Sequence, residues 1–437
     1  MRAVLFWALA LLPAVARLAA AQASLRFHGD GTLRIIQLTD LHVGEGPPDA
    51  RTLHLVERVL AAEQPGLAVL SGDMVSGFAF PAGDLAGRLG RLFGSSNSRG
   101  APLTASWYEQ QWRRVVAPLH AAGVPYAAIL GNHDGEADLS RRDVTELASA
   151  VGGSLSLTRP GPEGLPGGGN YWIDVLEPRG EEVAARIWML DSGNRGCGHL
   201  AWGWGCVPVD TVEWVRQQAA RLPRVPSLAF VHIPLPQHML AWERGPVNGT
   251  KGEMVGCPGL DTGFFELARE LGITAVYSGH DHNNDFVGTV DGVRLAYGRK
   301  SGFGSYGPTG GLQHGARMIE LRLGEDPAAS ATWIRQEDGS RQVQAAASED
   351  RPRRQRTCNL DASACDHALG PRACLALRSA RNGATLIAVL AGLTTGMAMT
   401  AAAVMLLVRH ARQHLAKKRG WQRVRSTEKP LRVSAAV

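Results

Sequence analysis

Three side chains able to bind a metal or move a proton stand in consecutive positions at Asn132, His133 and Asp134. They follow the apolar run 126–130, which reads as a short buried strand, and Gly131, which breaks it. The same arrangement recurs four times. Residues 35–38 run into Asp40 and His42, 67–70 into Gly72-Asp73, 228–231 into His232, and 275–277 into His280-Asp281-His282. Strand ends in an α/β sheet gather ligands at one carboxyl edge. Taken singly, each cluster has an ordinary reading as a capping pair, a turn or a satisfied core histidine. Five of them at strand ends point to one site holding Asp40, His42, Asp73, Asn132, His232, His280 and His282. Mixed carboxylate, amide and imidazole donors without thiolate suit Fe, Mn or Zn. Such a set is too large for one ion and sufficient for two if one carboxylate bridges. Two metals about 3.5–4 Å apart are an arrangement used to hydrolyse phosphate esters.

The elements that must carry these residues alternate. Strands are expected at 33–38, 67–70, 126–130, 171–175, 186–190, 227–231, 274–277, 286–290, 293–297, 317–321 and 332–335. Helices are expected at 51–62, 107–121, 210–221 and 262–271. Helices between apolar strands predict an α/β layered fold, with a mixed or antiparallel finish where the last strands follow one another directly. The Gly-, Pro- and Ser-rich segment 74–106 reads as a lid or a disordered insertion.

Asp40-x-His42, Gly72-Asp73, Gly131-Asn132-His133-Asp134, His232 and Gly279-His280-Asp281-His282 together resemble the metallophosphoesterase (calcineurin-like phosphoesterase) superfamily over about 33–321. Residues 131–136, 170–172, 190–193, 232–236 and 297–304 resemble its small purple-acid-phosphatase-like branch from plants and fungi. The resemblance implies a sandwich of two mixed β-sheets flanked by helices. It implies one metal held by Asp40, His42, Asp73 and His282, and a second by Asp73, Asn132, His232 and His280, with Asp73 bridging. It further implies a bridging hydroxide that attacks phosphorus, with His133 assisting the leaving group and Asp134 orienting its ring. Purple acid phosphatases carry a tyrosine ligand a few positions after the bridging aspartate. Here Met74, Val75, Ser76 and Gly77 follow Asp73, which argues against an Fe(III)–tyrosinate centre and leaves the metal identity open. Arg299 and Lys300 are candidate phosphate contacts, Arg through its bidentate fork. Trp202 and Trp204 lie between Cys197 and Cys206 and are expected either to line a stapled surface near the site or to pack in the core.

The 437 residues carry a formal net charge of +6. From Arg409 onward nine Lys/Arg stand against Glu428 alone, so the basic character belongs to a tail and no nucleic-acid partner is expected. Residues 1–23, with Arg2 before an apolar run and small residues at Ala19, Ala21 and Ala23, read as a signal peptide. A catalytic domain is expected over 24–336, a polar stalk over 337–383, a transmembrane helix over 384–408 and a cytoplasmic tail over 409–437. That order makes a single-pass type I membrane protein of the secretory pathway, its catalytic domain extracellular or luminal. In that compartment Asn248-Gly249-Thr250 is a glycosylation site. The six cysteines are expected in disulfides, Cys197 with Cys206, and at least one of Cys358, Cys365 and Cys374 pairing outside that group or staying free. The reading is a membrane-anchored, acid-phosphatase-like phosphomonoesterase. A phosphodiesterase with the same metal centre and a non-catalytic ligand-binding ectodomain are the alternatives, and the sequence leaves the oligomeric state open.

Overall fold

Two six-stranded sheets lie face to face in the computed structural model, which describes residues 24–80, 103–198, 200–348 and 358. The chain divides into units Met1–Asp361 and Ala362–Val437, and every described residue belongs to the first. The expected signal peptide (1–23), transmembrane helix (384–408), tail (409–437) and most of the stalk lie outside the described residues. Among the described residues no helix is long and apolar enough to cross a membrane.

The first sheet runs β14 (Arg341–Gln342), β13 (Ala331–Gln336), β12 (Gly315–Arg322), β1 (Thr32–Leu38), β2 (Leu67–Ser71), β3 (Tyr126–Ile129). β1, β2 and β3 are parallel, while β12 to β14 are antiparallel. The second runs β10 (Val287–Val290), β11 (Val293–Tyr297), β9 (Ile273–Ser278), β8 (Ser227–Phe230), β5 (Val183–Met189), β4 (Tyr171–Leu176). Its four central strands are parallel, and β4 and β10 close the edges antiparallel. A small hairpin, β6 (Arg195–Cys197) with β7 (Leu200–Trp204), stands apart.

Period-two burial makes the layers. Ile35, Val69, Ala127 and Ile129 pack against Ile187, Met189, Phe230 and Tyr277 between the sheets. The other faces of the same strands receive helices. Ile36, Leu38 and Leu70 meet α1 (Pro48–Glu63), α2 (Leu103–Ala122) and α3 (Arg141–Gly152). Trp188, Ala229 and Val276 meet α4 (Val209–Ala219), α5 (Gln237–Arg244) and α6 (Phe264–Leu271). Strands buried on both faces read as continuous apolar runs, which is why they were conspicuous in the sequence.

Two differences from the sequence reading have plain causes. β14 continues the sheet beyond residue 336, and Ala347 N–H donates to Val247 O, so the fold reaches into the expected stalk. Two polar residues are too few to leave a periodicity. α3 opens with a capping box in which Ser140 Oγ accepts from Asp143 N–H and the Asp143 carboxylate accepts from Ser140 N–H. That Ser-x-x-Asp spacing is the sequence signal for this unexpected helix.

Candidate binuclear metal centre

Each donor stands just beyond a parallel strand, where the two sheets meet. Asp40 and His42 follow β1, Asp73 follows β2, Asn132 follows β3, His232 follows β8, and His280 and His282 follow β9. The loops are laced together by backbone bonds, Asp40 N–H to Gly72 O, His42 N–H to Asp73 O and Gly279 N–H to His232 O. Asp40, His42, Asp73 and His280 have φ of 55°, 53°, 55° and 77°, the left-handed region that non-glycine residues avoid. Strain of that kind clusters at functional sites and persists only where the surroundings over-determine it. Gly131 allows a close approach, because a Cβ there would overlap the Asp73 carboxylate.

The donors form two overlapping sets, Asp40, His42, Asp73 and His282, and Asp73, His232 and His280, the ligand atoms of each within 4.8 Å of one another. Asn132 Oδ1 joins the second, 2.9 Å from His280 Nδ1 and 3.2 Å from His232 Nε2. Asp73 belongs to both sets. His282 Nδ1–H donates to Tyr306 O at 2.7 Å, so its Nε2 bears a lone pair in the neutral ring. Ser76 Oγ–H donates to Glu45 at 2.6 Å and therefore accepts from His42 Nδ1–H at 2.9 Å, leaving His42 Nε2 a lone pair also. These two bare nitrogens face each other at 3.3 Å. Facing lone pairs repel, and a cation between them turns the repulsion into coordination. His232 is set the same way, Nδ1–H on Ser71 O at 2.9 Å and Nε2 turned to Asp73 Oδ2 at 3.2 Å. The fixed far nitrogens set ring tautomer and aim, as metal-binding histidines require. The donor set fits two metal ions.

The electrostatics agree. Burial pushes His280 down to about 3, and burial with Lys300 lowers His42 and His282, keeping these rings neutral and able to ligate. Burial opposes charging His232, but Asp73 and Asp40 lift it to about 9, so without a cation its Nε2 also holds a proton, which a bound metal ion would displace. Burial would raise both aspartates, yet His282 and His232 hold Asp40 low and His232 and His133 hold Asp73 low.

His133 lies at the edge of the cage, 5.3 Å from the His42 ring and one-fifth exposed. The partner of its Nδ1 is Glu136 Oε2 at 2.6 Å. This corrects the expectation that Asp134 orients the ring. The Asp134 carboxylate instead accepts from the backbone N–H groups of Asp73, Val75 and Gly131 at 2.7–2.8 Å, fixing the loops that present the donors. The expectation for Arg299 and Lys300 is corrected as well. Arg299 is buried, with four of its five N–H donors taken by Asp285, Gln313 O and Gln342. Lys300 is buried behind the site, where Nζ donates to Asp40 O at 3.2 Å. The sequence reading missed Glu136, the Glu45–Ser76 relay, and Arg141, whose guanidinium joins Asp191 to Leu130 O and Gly131 O. Cys197 pairs with Cys206 as expected, and Cys257 takes Cys358 out of the C-terminal trio. The Trp204 ring packs edge-on to His280 at 4.2 Å, while the Trp202 side chain lies outside the description.

The family described as calcineurin-like phosphoesterase matches residues 33–284. The chain belongs to that family. Among its relatives, "Probable inactive purple acid phosphatase 14" of Arabidopsis thaliana is 29% identical over 337 residues, covering 68% of this chain and 77% of its own. "Phosphatase DCR2" of Saccharomyces cerevisiae is 26% identical over 337 residues, covering 70% of this chain and 54% of its own. A dimetal phosphatase from Danio rerio superposes at 12% identity with a TM-score of 0.40, covering 69% of this chain and 98% of its own. In this phosphoesterase the residues that match the family motifs are the ones that converge at the strand ends.

Proposed function

We propose that this phosphoesterase holds two metal ions, Fe, Mn or Zn, and hydrolyses phosphomonoesters on the extracellular or luminal side of a membrane. The observation that carries the reading is the pair of bare imidazole nitrogens, His42 and His282, facing each other beside a carboxylate shared by two donor sets. Two bound ions would supply Lewis acidity toward phosphoryl oxygens and a lowered pKa for bound water. The chain's own residues do the rest. Asp40, His42, Asp73 and His282 would hold one ion, and Asp73, Asn132, His232 and His280 the other.

Glu136 fixes His133 by Nδ1, so Nε2 is the atom offered to substrate. Burial resists protonation of this ring, but Asp73 and Glu136 outweigh it and lift the pKa to about 9. With Nδ1 held by Glu136, a protonated His133 would donate through Nε2 to the departing ester oxygen.

Three of the relatives are named inactive. Against that reading for this chain stand the complete donor set and His133, which a mere binding module has no need to keep together. The monoester assignment rests on resemblance to the purple-acid-phosphatase-like branch. Two disulfides support an oxidising compartment, and the exposed Asn248 and Thr250 leave the sequon accessible there. The membrane anchor rests on the uncharged stretch 384–408 and the basic residues after it.

The test compares hydrolysis of phenyl phosphate and bis(4-nitrophenyl) phosphate by the metal-loaded protein, with His133→Ala alongside. Monoester turnover that exceeds diester turnover and is strongly reduced in the variant is expected. Preferred diester turnover would make the protein a phosphodiesterase, and no turnover of either with metal bound would refute the catalytic reading.

A further inference from the structure

Large apolar side chains at a protein surface are common singly, but rigidly mounted rings grouped at a polar site are not explained by folding. Among the described residues, two of the exposed large hydrophobic side chains touch the histidines of the metal cage. Phe78 is 42% exposed and meets the His133 ring edge-on at 5.0 Å. Tyr306 is 49% exposed and stacks on the His282 ring at 4.1 Å. Between them the rings form a continuous run, His133 to His42 at 5.3 Å and His42 to His282 at 5.1 Å. Phe78 and Tyr306 therefore stand at the two ends of one run of five neighbouring rings.

Both mounts are rigid. Phe78 sits on a short 3₁₀ turn, Gly77–Ala79, whose first residue is pressed against the His133 turn. A Cβ at Gly77 would overlap His133 O, Glu136 N and Tyr108 Oη. Tyr306 is pinned at three points. Its carbonyl accepts from His282 Nδ1–H, its Oη–H donates to Glu253 at 3.0 Å, and the neighbouring Ser305 N–H donates to Glu45 at 2.7 Å. Glu253 is itself fixed by Asn283 N–H at 2.7 Å. These bonds hold half-exposed rings in place without burying them.

We infer that Phe78 and Tyr306 are specificity-determining residues that receive the leaving group, and that the preferred substrates are phosphate esters of planar, aromatic alcohols. The inference rests on the proposed phosphoesterase reading, since the leaving oxygen lies at His133 and the group attached to it must emerge beside Phe78. An aromatic leaving group gains ring contacts along the run, whereas a small aliphatic one leaves both rings in water. Aromatic pairing discriminates by about threefold to tenfold per ring.

The test separates recognition from chemistry by using phosphonates, which cannot be hydrolysed. Binding of phenylphosphonate and methylphosphonate to the full chain loaded with manganese is measured by calorimetry, for the wild type, Phe78→Ala, Tyr306→Ala and the conservative Tyr306→Phe. The expected result is phenylphosphonate at least tenfold tighter than methylphosphonate in the wild type. Each alanine variant should cut that ratio about threefold or more at a manganese content equal to the wild type's, while Tyr306→Phe keeps the ratio. Manganese content measured beside each titration shows whether the cage is intact, so a lost cage is recognised directly. Equal binding of the two phosphonates in the wild type, or ratios unmoved by both alanine variants, overturns the inference and leaves the phosphoesterase reading standing. Binding of neither phosphonate overturns both.

Discussion

His133 is four-fifths buried at the edge of the cage, and its Nδ1 is held by Glu136. Removing the ring should lower kcat by about a hundredfold to ten-thousandfold, the usual contribution of a positioned acid, with metal content unchanged. Steady-state kinetics and elemental analysis of His133→Ala check this. The contrasting residue is His238, fully buried, its Nδ1–H on Leu235 O and its Nε2 beside Ser278 Oγ. Burial pushes it down to about 4, partly offset by the Leu235 carbonyl. An unfolded chain takes up that proton near pH 6.5, so between about 6.5 and 4 the unfolded state binds more protons and stability falls as pH falls. The loss is on the order of 3 kcal/mol at pH 4. His238→Gln should flatten this part of the stability-versus-pH curve in urea titrations, and an unchanged curve would contradict the assignment. The seven donors were legible because each ends an apolar strand. Glu136 and the Glu45–Ser76 pair act only through another side chain, which sequence spacing does not reveal. Arg299 was misread because a charged pair suggests solvent or substrate, and its buried partner Asp285 lies fourteen positions away.

At the scale of elements, the site is a set of strand ends that must approach within a ligand's length. Gly131 and Gly72 make this possible, since side chains there would overlap Asp73 and the His232 ring. Gly131→Ala should therefore lose bound metal and most activity even if the sheets still form, which circular dichroism and metal analysis together would show. Retained metal would contradict the close-approach argument. α3 adds a second support, because Arg141 at its first residue ties the β3 loop to Asp191 by two bonds of 2.9 and 2.5 Å. The parallel strands were legible as apolar runs, and α1, α2, α4 and α6 as apolar faces. The hairpin β6–β7 was not, because its strands are short and glycine-rich. α5 was not either, since an eight-residue helix after Pro236 leaves little pattern.

The whole molecule holds its second sheet's helical layer with a disulfide, Cys257–Cys358, that spans 101 residues. Closing a loop of that size stabilises a fold by about 4–5 kcal/mol in the chain-entropy account. Replacing both cysteines with alanine should shift urea unfolding by a few kcal/mol without altering metal content. The proposed secretory origin makes a separate prediction, that the protein from a secretory host loses mass on enzymatic deglycosylation and that Asn248→Gln abolishes the shift. No shift in the wild type would contradict the proposed use of that sequon. The two-sheet sandwich was legible as a layered α/β fold, and the family resemblance supplied its sheet count.

The central claim is that Asp73 is shared by two metal ions. Metal content of the purified protein, measured beside Asp73→Ala, tests it most directly. About two ions per chain are expected in the wild type and loss of both in the variant, because Asp73 belongs to both donor sets. One ion per chain in the wild type, or two ions retained in Asp73→Ala, would contradict it.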